Sequence, residues 1–242
     1  MLTEKEYKDG QILLIDKPLQ WTSFQVVNKL RWLIRKQFSI KKLKVGHAGT
    51  LDPLASGLLV ICTGKFTKRI HEFQGQTKEY TGTIKLGATT PSYDLETEID
   101  HTFPIDHITK EMILNATTPF IGEIDQYPPV FSALKKEGKR LYEYAREGEN
   151  VEINARKITI NKFEITRVEL PEVDFKVVCG KGTYIRSLAH DFGKSLQSGA
   201  HLTALRRTKI GSFSVEDATT VQFFEDQLQS KIETTQNNVV QN

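Results

Sequence analysis

Sulfur-containing residues and long apolar runs are scarce in this sequence. Among its 242 residues there are two cysteines, Cys62 and Cys179, each within an apolar segment. Buried free thiols fit those positions and suit a reducing cytoplasm, where we expect the protein to act. The chain has no Cys-x-x-Cys pair and no His-Glu-x-x-His motif, so we expect no metal site. No apolar run approaches the roughly 18 residues of a membrane span, and the charged N-terminus lacks a signal region.

Acidic residues are missing from two stretches, although the net charge of the whole chain is only +3. Residues 17–51 hold eight basic residues and no acidic one, and residues 192–215 hold four basic residues and no acidic one. Two such segments in a nearly neutral chain indicate a surface that binds a polyanion such as nucleic acid. Solvated surface charge remains the alternative explanation for either segment taken alone.

The apolar patterns predict an alternation of strands and helices in one large domain or two small ones. We predict strands over residues 11–16, 58–62, 78–86, 151–153, 157–168, 173–178 and 201–214. We predict helices over 22–38, 65–73, 106–117, 139–148, from about 183, and over 221–232. The composition of residues 88–104 predicts an exposed loop, and that of the last residues predicts a disordered tail, placed at 229–242.

The stretch from Lys44 to Gly64 places one carboxylate, Asp52, in a turn. Gly46, Gly49 and Gly57 within it permit unusual backbone angles, and Pro53 restricts the chain just after the carboxylate. The apolar run Leu58–Cys62 that follows is typical of a buried strand. A carboxylate that is held in a rigid turn next to a buried strand is well placed for catalysis. A simple turn-forming role is the alternative, because aspartate is common at turns.

A pocket that combines Asp52 with Tyr80, Tyr184 and Arg186 would suit chemistry on a nucleobase. Arg186 can bind a carboxylate through two parallel hydrogen bonds and keep it ionised. An ionised aspartate can act as a nucleophile or stabilise positive charge on a sugar ring. The tyrosines offer flat faces to a base removed from its stack, and His47 could fill the gap left behind. Taken singly, each residue also fits an ordinary structural role.

Several ordered motifs resemble one known family. The catalytic motif of the bacterial tRNA pseudouridine-55 synthases, the TruB family, is similar to Gly46-His-Ala-Gly-Thr-Leu-Asp-Pro-Leu-Ala-Ser-Gly57. Further family motifs resemble Asp16-Lys-Pro18, Lys78-Glu-Tyr-Thr-Gly-Thr-Ile-Lys-Leu-Gly87, Pro128-Pro-Val-Phe-Ser-Ala-Leu-Lys135, Gly180-Lys-Gly-Thr-Tyr-Ile-Arg186 and Gly199-Ala-His-Leu-Thr-Ala-Leu-Arg-Arg207. These blocks run in the expected order from Asp16 to about Phe213, so the chain is identified as a member of this family.

The resemblance implies both a fold and a reaction. The fold is α+β, the pseudouridine synthase fold, with a mixed and mostly antiparallel sheet flanked by helices and an RNA-binding cleft. One catalytic domain over 1–228 is implied, with an RNA-gripping insertion at about 122–150. The reaction turns uridine 55 in the T-loop of tRNA into pseudouridine by base flipping. It needs no cofactor and no metal, and we expect a monomer with tRNA as its partner.

The resemblance also implies roles for individual residues. Asp52 matches the nucleophile, and Arg186 matches the residue that orients it. Tyr80 matches the residue that packs on the target uracil and handles the C5 proton. All three are therefore predicted catalytic residues.

A second group of residues matches positions that contact the substrate. Tyr184 and Leu205 match contacts to the substrate, and His47 matches the residue that stacks inside the loop after the uridine has flipped. Lys17 joins this substrate-binding group through the motif that it shares with Pro18, a motif regarded as supporting the active-site loop.

Two other functions compete with RNA modification. A tRNA-binding or tRNA-folding protein with secondary turnover would share the basic segments, although it would not need the Asp52, Tyr80 and Arg186 set. A glycosidase with paired carboxylates is disfavoured because no second acid lies in a comparable setting. Longer family members carry a C-terminal RNA-binding domain of the PUA type, and the roughly 28 residues after Ser214 are too few for one. We therefore expect tRNA recognition to depend on the catalytic domain and its insertion.

Overall fold

A computed structural model of the chain describes residues 2–132, 134–136, 138–147, 149 and 151–239. The chain divides into two compact units, a finer division than the one catalytic domain predicted from the sequence. The first unit comprises Met1–Gln76 and Arg206–Asn242, and the second comprises Thr77–Leu205.

The elements alternate along the chain much as the apolar patterns predict. In chain order, the α-helices are α1 (Glu4–Asp9), α2 (Ser23–Gln37), α3 (Ile70–Gln74), α4 (Lys110–Asn115), α5 (Leu141–Arg146), α6 (Ile185–Ser195) and α7 (Val221–Val239). The strands are β1 (Ile12–Lys17), β2 (Val45–His47), β3 (Ala55–Thr63), β4 (Lys78–Leu86), β5 (Ala88–Thr89), β6 (His101–Thr102), β7 (Gly122–Gln126), β8 (Lys135–Lys136), β9 (Lys139–Arg140), β10 (Arg156–Glu169), β11 (Glu172–Cys179), β12 (Ala200–Ile210), β13 (Phe213–Ser214) and β14 (Thr219–Thr220). Short 3-10 helices cover Gly64–Arg69, Thr118–Phe120 and Val215–Asp217.

Strand β3 is the central element of the first unit. It pairs antiparallel with β1, from Ile12 opposite Cys62 to Lys17 opposite Gly57, and antiparallel with β2. Strand β1 also pairs with β14 in parallel, so the sheet is mixed. Alternate β3 residues pack into two apolar clusters, one on each face of the strand. Burial on both faces explains why the sequence of this strand is continuously apolar rather than alternating.

Helix α2 begins as predicted, and Val27, Leu30 and Ile34 of the apolar stripe expected from the spacing are buried. Thr22 accepts a hydrogen bond from the Gln25 backbone, and the Gln25 side chain accepts one from the Thr22 backbone, which forms a capping box. The buried stripe consists of Ser23, Val26, Val27, Leu30, Leu33 and Ile34. Phe24, expected on that stripe, is 64% exposed because it lies off the centre of the buried face.

The second unit contains an antiparallel sheet in the order β4-β11-β10-β7. Strand β4 buries alternate residues, as its pattern predicts. The strand predicted at 151–153 does not form, and β7 takes the edge position beside β10 instead. Both cysteines are buried and free, as predicted.

The segment 88–104 is more structured than its polar composition indicates. Strands β5 and β6 pair within it, and four polar residues, Thr89, Thr90, Ser92 and Asp94, are buried. The Thr90 hydroxyl donates to the Asp94 carbonyl at 2.7 Å, and the Thr89 hydroxyl donates to Asp100 Oδ1 at 2.6 Å. The prediction of an exposed loop was wrong over most of residues 88–94, where these polar groups satisfy one another internally, whereas most of residues 95–104 are exposed as predicted.

Helix α7 extends to Val239, whereas we predicted disorder from residue 229. Its first turns are anchored in the first unit by Val221, Phe224 and Leu228, which lie at helical spacing in one apolar cluster. Once a helix is nucleated in this way, each further residue adds one backbone hydrogen bond, and this favours continuation. Residues 240–242 lie outside the described residues.

Candidate active site

Asp52 lies in the first unit, in the turn between β2 and β3. Its carbonyl accepts a hydrogen bond from the backbone N–H of Ala55 at 3.1 Å, which closes the turn. Buried Ser23, the first residue of α2, forms hydrogen bonds with both backbone groups of Leu51, the residue before Asp52. The N–H of Leu51 donates to Ser23 Oγ at 2.8 Å, and Ser23 Oγ donates to the Leu51 carbonyl at 3.0 Å. Helix α2 and the Asp52 turn are thus held together by a buried hydroxyl.

Arg207 is a buried cation that holds the same turn from the other side. It is 1% exposed, and its guanidinium donates to the carbonyls of Leu58 at 2.8 Å, Gly49 at 3.1 Å and Thr50 at 3.5 Å. These carbonyls lie on both sides of Asp52 in the sequence. A planar guanidinium carries five N–H groups in a fixed fork, so it can donate to several acceptors that lie apart from one another.

The sequence analysis treated Arg207 as part of a basic, RNA-facing segment, and the structure corrects this. Successive residues of a strand point to opposite faces, so of Arg206 and Arg207 in β12 only one can face outward. Arg206 is the more exposed of the two and forms two parallel bonds with Asp16, at 3.0 and 2.7 Å. Two adjacent arginines within a predicted strand therefore indicate that one of them faces the protein interior.

Two glycines near Asp52 have positive φ, as a turn of this kind requires. Gly49 has φ of +111° and Gly57 has φ of +104°. At Gly57, a Cβ atom would lie 2.3 Å from the backbone oxygen of Arg207, so only glycine fits there. The sequence prediction of special backbone angles is confirmed at these two positions.

Lys17 is fully buried beneath the turn that follows β1. Its Nζ donates to the carbonyls of Trp21 at 2.6 Å and Pro18 at 2.9 Å. Burial lowers the Lys17 pKa to about 8, and the nearby Asp52 carboxylate opposes that shift. Because Lys17 is fully buried and bonded to two backbone carbonyls, its predicted place among the substrate-binding residues stays a prediction. Lys17 supports the motif that it shares with Pro18.

His47 ends β2, where it lies opposite Ile61 of β3. Burial lowers the pKa of His47, and the Arg207 guanidinium acts in the same direction. Its imidazole is therefore neutral at pH 7, and a neutral ring suits stacking among bases better than a charged one that must be desolvated. The first unit thus places Lys17, His47 and Asp52 around Arg207.

The remaining predicted residues belong to the second unit. Tyr80 lies on β4 opposite Val177 and is buried. Tyr184 precedes α6, and Leu205 is half-buried in β12. The predicted contact of Arg186 with Asp52 joins residues of both units and stays a prediction.

Arg186 is buried at the start of α6 by partners that the sequence analysis missed. Its guanidinium donates to the carbonyls of Ser92 at 3.2 Å and Phe131 at 2.9 Å. Buried Asp94 lies 3.6 Å away and forms an ion pair with it. Aspartate in a polar segment looks like a loop residue, so only the fold reveals Asp94 as a partner of Arg186.

Gln126, at the end of β7, is a second residue that the sequence analysis missed. Its side-chain amide accepts a hydrogen bond from the Tyr184 N–H at 2.8 Å and donates to the Tyr184 carbonyl at 3.0 Å. Gln126 is buried, so this pair of bonds fixes the backbone from which the Tyr184 ring projects.

The described ranges lack both a metal-binding cluster and a membrane-spanning helix. No group of three or more histidine, cysteine or acidic residues there could hold a metal ion. In the same part of the chain, no helix is both long enough and apolar enough to cross a membrane.

Comparisons with known proteins agree with the fold and with the motif order. The family model described as "TruB family pseudouridylate synthase (N terminal domain)" matches residues 35–185, and "tRNA pseudouridylate synthase B C-terminal domain" matches residues 186–241. A relative from Flavobacterium johnsoniae, named "tRNA pseudouridine synthase B", is 65% identical over 94% of this chain and 100% of its own. A relative of the same name from Phocaeicola vulgatus is 57% identical over 94% of this chain and 97% of its own.

Two solved structures share the fold at greater distance. A chain of a "Cbf5-Nop10-Gar1 Complex" is 30% identical with a TM-score of 0.69, covering 92% of this chain and 55% of that one. A chain of an "H/ACA RNP bound to a substrate RNA containing 2'-deoxyuridine" is 28% identical with a TM-score of 0.66, covering 92% and 54%. The present chain spans about half the length of these neighbours. The predicted α+β pseudouridine synthase fold, a mixed and mostly antiparallel sheet with flanking helices, is confirmed. The chain belongs to the TruB family of pseudouridylate synthases.

Proposed function

We propose that this enzyme isomerises uridine to pseudouridine at position 55 in the T-loop of tRNA, with Asp52 as the nucleophile. The observation that carries the proposal is the setting of Asp52. Its turn is held by buried Ser23 on one side and buried Arg207 on the other, in a chain whose relatives are named tRNA pseudouridine synthase B. A rigid turn that presents one carboxylate meets the positional demand of nucleophilic catalysis.

The chemistry needs few groups. The N1–C1′ bond of uridine breaks, the uracil turns, a C5–C1′ bond forms, the C5 proton leaves, and N1 takes up a proton. Atoms balance without an oxidant, a reductant or an energy source, so the proposal includes neither a cofactor nor a metal. Attack at C1′ or addition at C6 requires an ionised and oriented carboxylate, and removal of the 2′ proton requires a base in the same place.

The other residues receive roles consistent with their positions. We assign Tyr80 to packing on the uracil and to the C5 proton, and Arg186 to orienting Asp52. Tyr184 and Leu205 contact the substrate, and His47 stacks in the loop after the uridine leaves. The support for Tyr184 is its fixed backbone, because the buried Gln126 amide pairs with it twice. The support for His47 is its neutral ring. Residues 122–150 are proposed to grip the RNA.

The test compares wild type with Asp52→Asn on an unmodified tRNA transcript. We expect wild type to form pseudouridine only at position 55, mapped at single-nucleotide resolution, and Asp52→Asn to bind tRNA equally well without product. Asp106→Asn is the matched control, because Asp106 is exposed and outside the proposed site. Product from Asp52→Asn would remove the aspartate from its role. Wild type that binds tRNA without turnover would favour a tRNA-folding protein instead.

A further inference from the structure

A groove of about 710 Å³ in the first unit is lined by basic side chains and by no acidic ones. Five of its cations come from the acid-free segment near the N-terminus: Arg31, Arg35, Lys41, Lys42 and Lys44. Lys8, Lys65 and Lys68 come from more distant parts of the sequence. The fold therefore gathers eight basic residues on one surface, which the sequence alone could not show.

Most of these cations form no ion pair with any residue in the part of the chain that the structure describes. Lys8 pairs with Glu4, and Lys65 pairs with Asp9 at 2.8 Å. For the other six, no carboxylate of the described residues lies within ion-pair distance. Like charges held close together raise the local potential, and an incoming polyanion relieves it.

Other cations of the acid-free segments are already used inside the molecule. Arg207 is buried against backbone carbonyls, and Arg206 pairs with Asp16. Lys29 pairs with Glu225 at 2.7 Å. Because these charges have internal partners, most of the remaining cations of the acid-free segments lie in the groove.

The groove lies at the far end of β3 from the Asp52 turn. The backbone N–H of Gly64, which lines the groove, donates to the Lys44 carbonyl at 2.8 Å. Asp52 precedes the opposite end of β3, which starts at Ala55. The nine steps of extended chain from Ala55 to Gly64 span about 30 Å. A ligand that occupies both places must be long and negatively charged.

We propose that this groove binds the phosphodiester backbone of the substrate tRNA, away from the flipped uridine, and supplies sequence-independent affinity. The identification of the polyanion as tRNA rests on the proposed function. A protein partner fits less well, because protein interfaces depend on buried aromatic or apolar anchors. The only large apolar residue lining the groove, Leu43, is itself buried within the described structure.

The test neutralises two exposed groove residues in Lys41→Gln/Lys68→Gln. Lys110→Gln/Lys162→Gln is the matched control, because it removes the same charge from exposed positions in the second unit. The dissociation constant for full-length tRNA is measured over a salt series. Loss of two phosphate contacts should weaken binding about 5- to 50-fold near physiological salt and lower the salt slope by about 1 to 2. The control should stay close to wild type.

A second measurement separates binding from chemistry. With saturating tRNA, kcat of the groove variant should match wild type while KM rises, because the residues around Asp52 are unchanged. The groove assignment would be overturned if the groove variant kept the wild-type dissociation constant for tRNA and the wild-type salt slope. It would also be overturned if the control lost as much tRNA affinity as the groove variant. Wild type that binds anionic lipid vesicles but not tRNA would overturn it in favour of a lipid surface. If wild type forms no pseudouridine while the groove variant still loses tRNA affinity, the proposed function fails and the groove assignment stands.

Discussion

Replacing Arg207 with methionine should loosen the turn that carries Asp52 without removing any group that we assign to the substrate. The change deletes two well-formed hydrogen bonds to the Leu58 and Gly49 carbonyls and a long one to Thr50 at 3.5 Å. Hydrogen bonds from a charged donor each contribute about 1.5–3 kcal/mol, so the two good ones account for about 3–6 kcal/mol. The third adds little at its length.

Methionine offsets part of this loss because it buries apolar surface and needs no desolvated charge, which recovers about 1–2 kcal/mol. We therefore expect Arg207→Met to lower the free energy of unfolding by about 2–4 kcal/mol. Displacement of a positioned carboxylate by about 1 Å can cost about 100-fold in rate, so kcat should fall by about that factor. The dissociation constant for tRNA should change little, since Arg207 is buried.

The assay combines denaturant unfolding with single-turnover measurement of pseudouridine and a separate tRNA-binding measurement. Arg206→Met is the control for stability, because its ion pair is partly exposed and such pairs contribute at most about 1 kcal/mol. If Arg207→Met does not fold, Arg207→Lys retains the charge but can reach fewer of the three carbonyls and should show a smaller kcat loss. Wild-type kcat together with wild-type stability in Arg207→Met would refute the reasoning.

Two further predictions concern buried charge and pH. Asp94→Asn removes the buried carboxylate that lies 3.6 Å from Arg186, so we expect the free energy of unfolding in urea to fall by about 2–3 kcal/mol and turnover to drop. Unchanged values would show that the ion pair is dispensable. Burial lowers the pKa of His190 to about 4. As the pH falls from 6.5 to 4, the unfolded chain binds a proton at His190 and the folded chain does not. The free energy of unfolding of wild type should therefore fall by up to about 3 kcal/mol. His190→Gln should remove that part of the acid dependence, and an identical pH profile for the variant would contradict the assignment.

Local features of the fold were predictable because neighbouring residues produce them. The continuous apolar run of β3 indicates burial on both faces, and the structure packs it into two clusters. The capping box of Thr22 and Gln25 marks the start of α2. Alternation in β4 correctly indicated one buried face. Positive φ at Gly49 and Gly57 matches the stiff turn predicted around a single carboxylate.

The partners of buried polar groups were decided only by the tertiary structure. Arg207 lies 149 positions from Leu58, whose carbonyl it binds, and no local pattern connects them. Arg186 likewise binds Ser92 across 94 positions, within a segment whose composition predicts a loop. The sequence shows that a residue is charged, but the free-energy cost of burying that charge depends on the partners that it binds in the folded protein.

The sequence alone thus determined the family motifs, the main strands and helices, and the position of Asp52 in a stiff turn. The tertiary structure decided how each basic residue is used. It buried Lys17 and Arg207 against backbone carbonyls, paired Arg206 with Asp16, and collected the charges of the groove on one surface. Basic residues look alike in sequence, and they differ only once the fold determines which of them lose water and what replaces it.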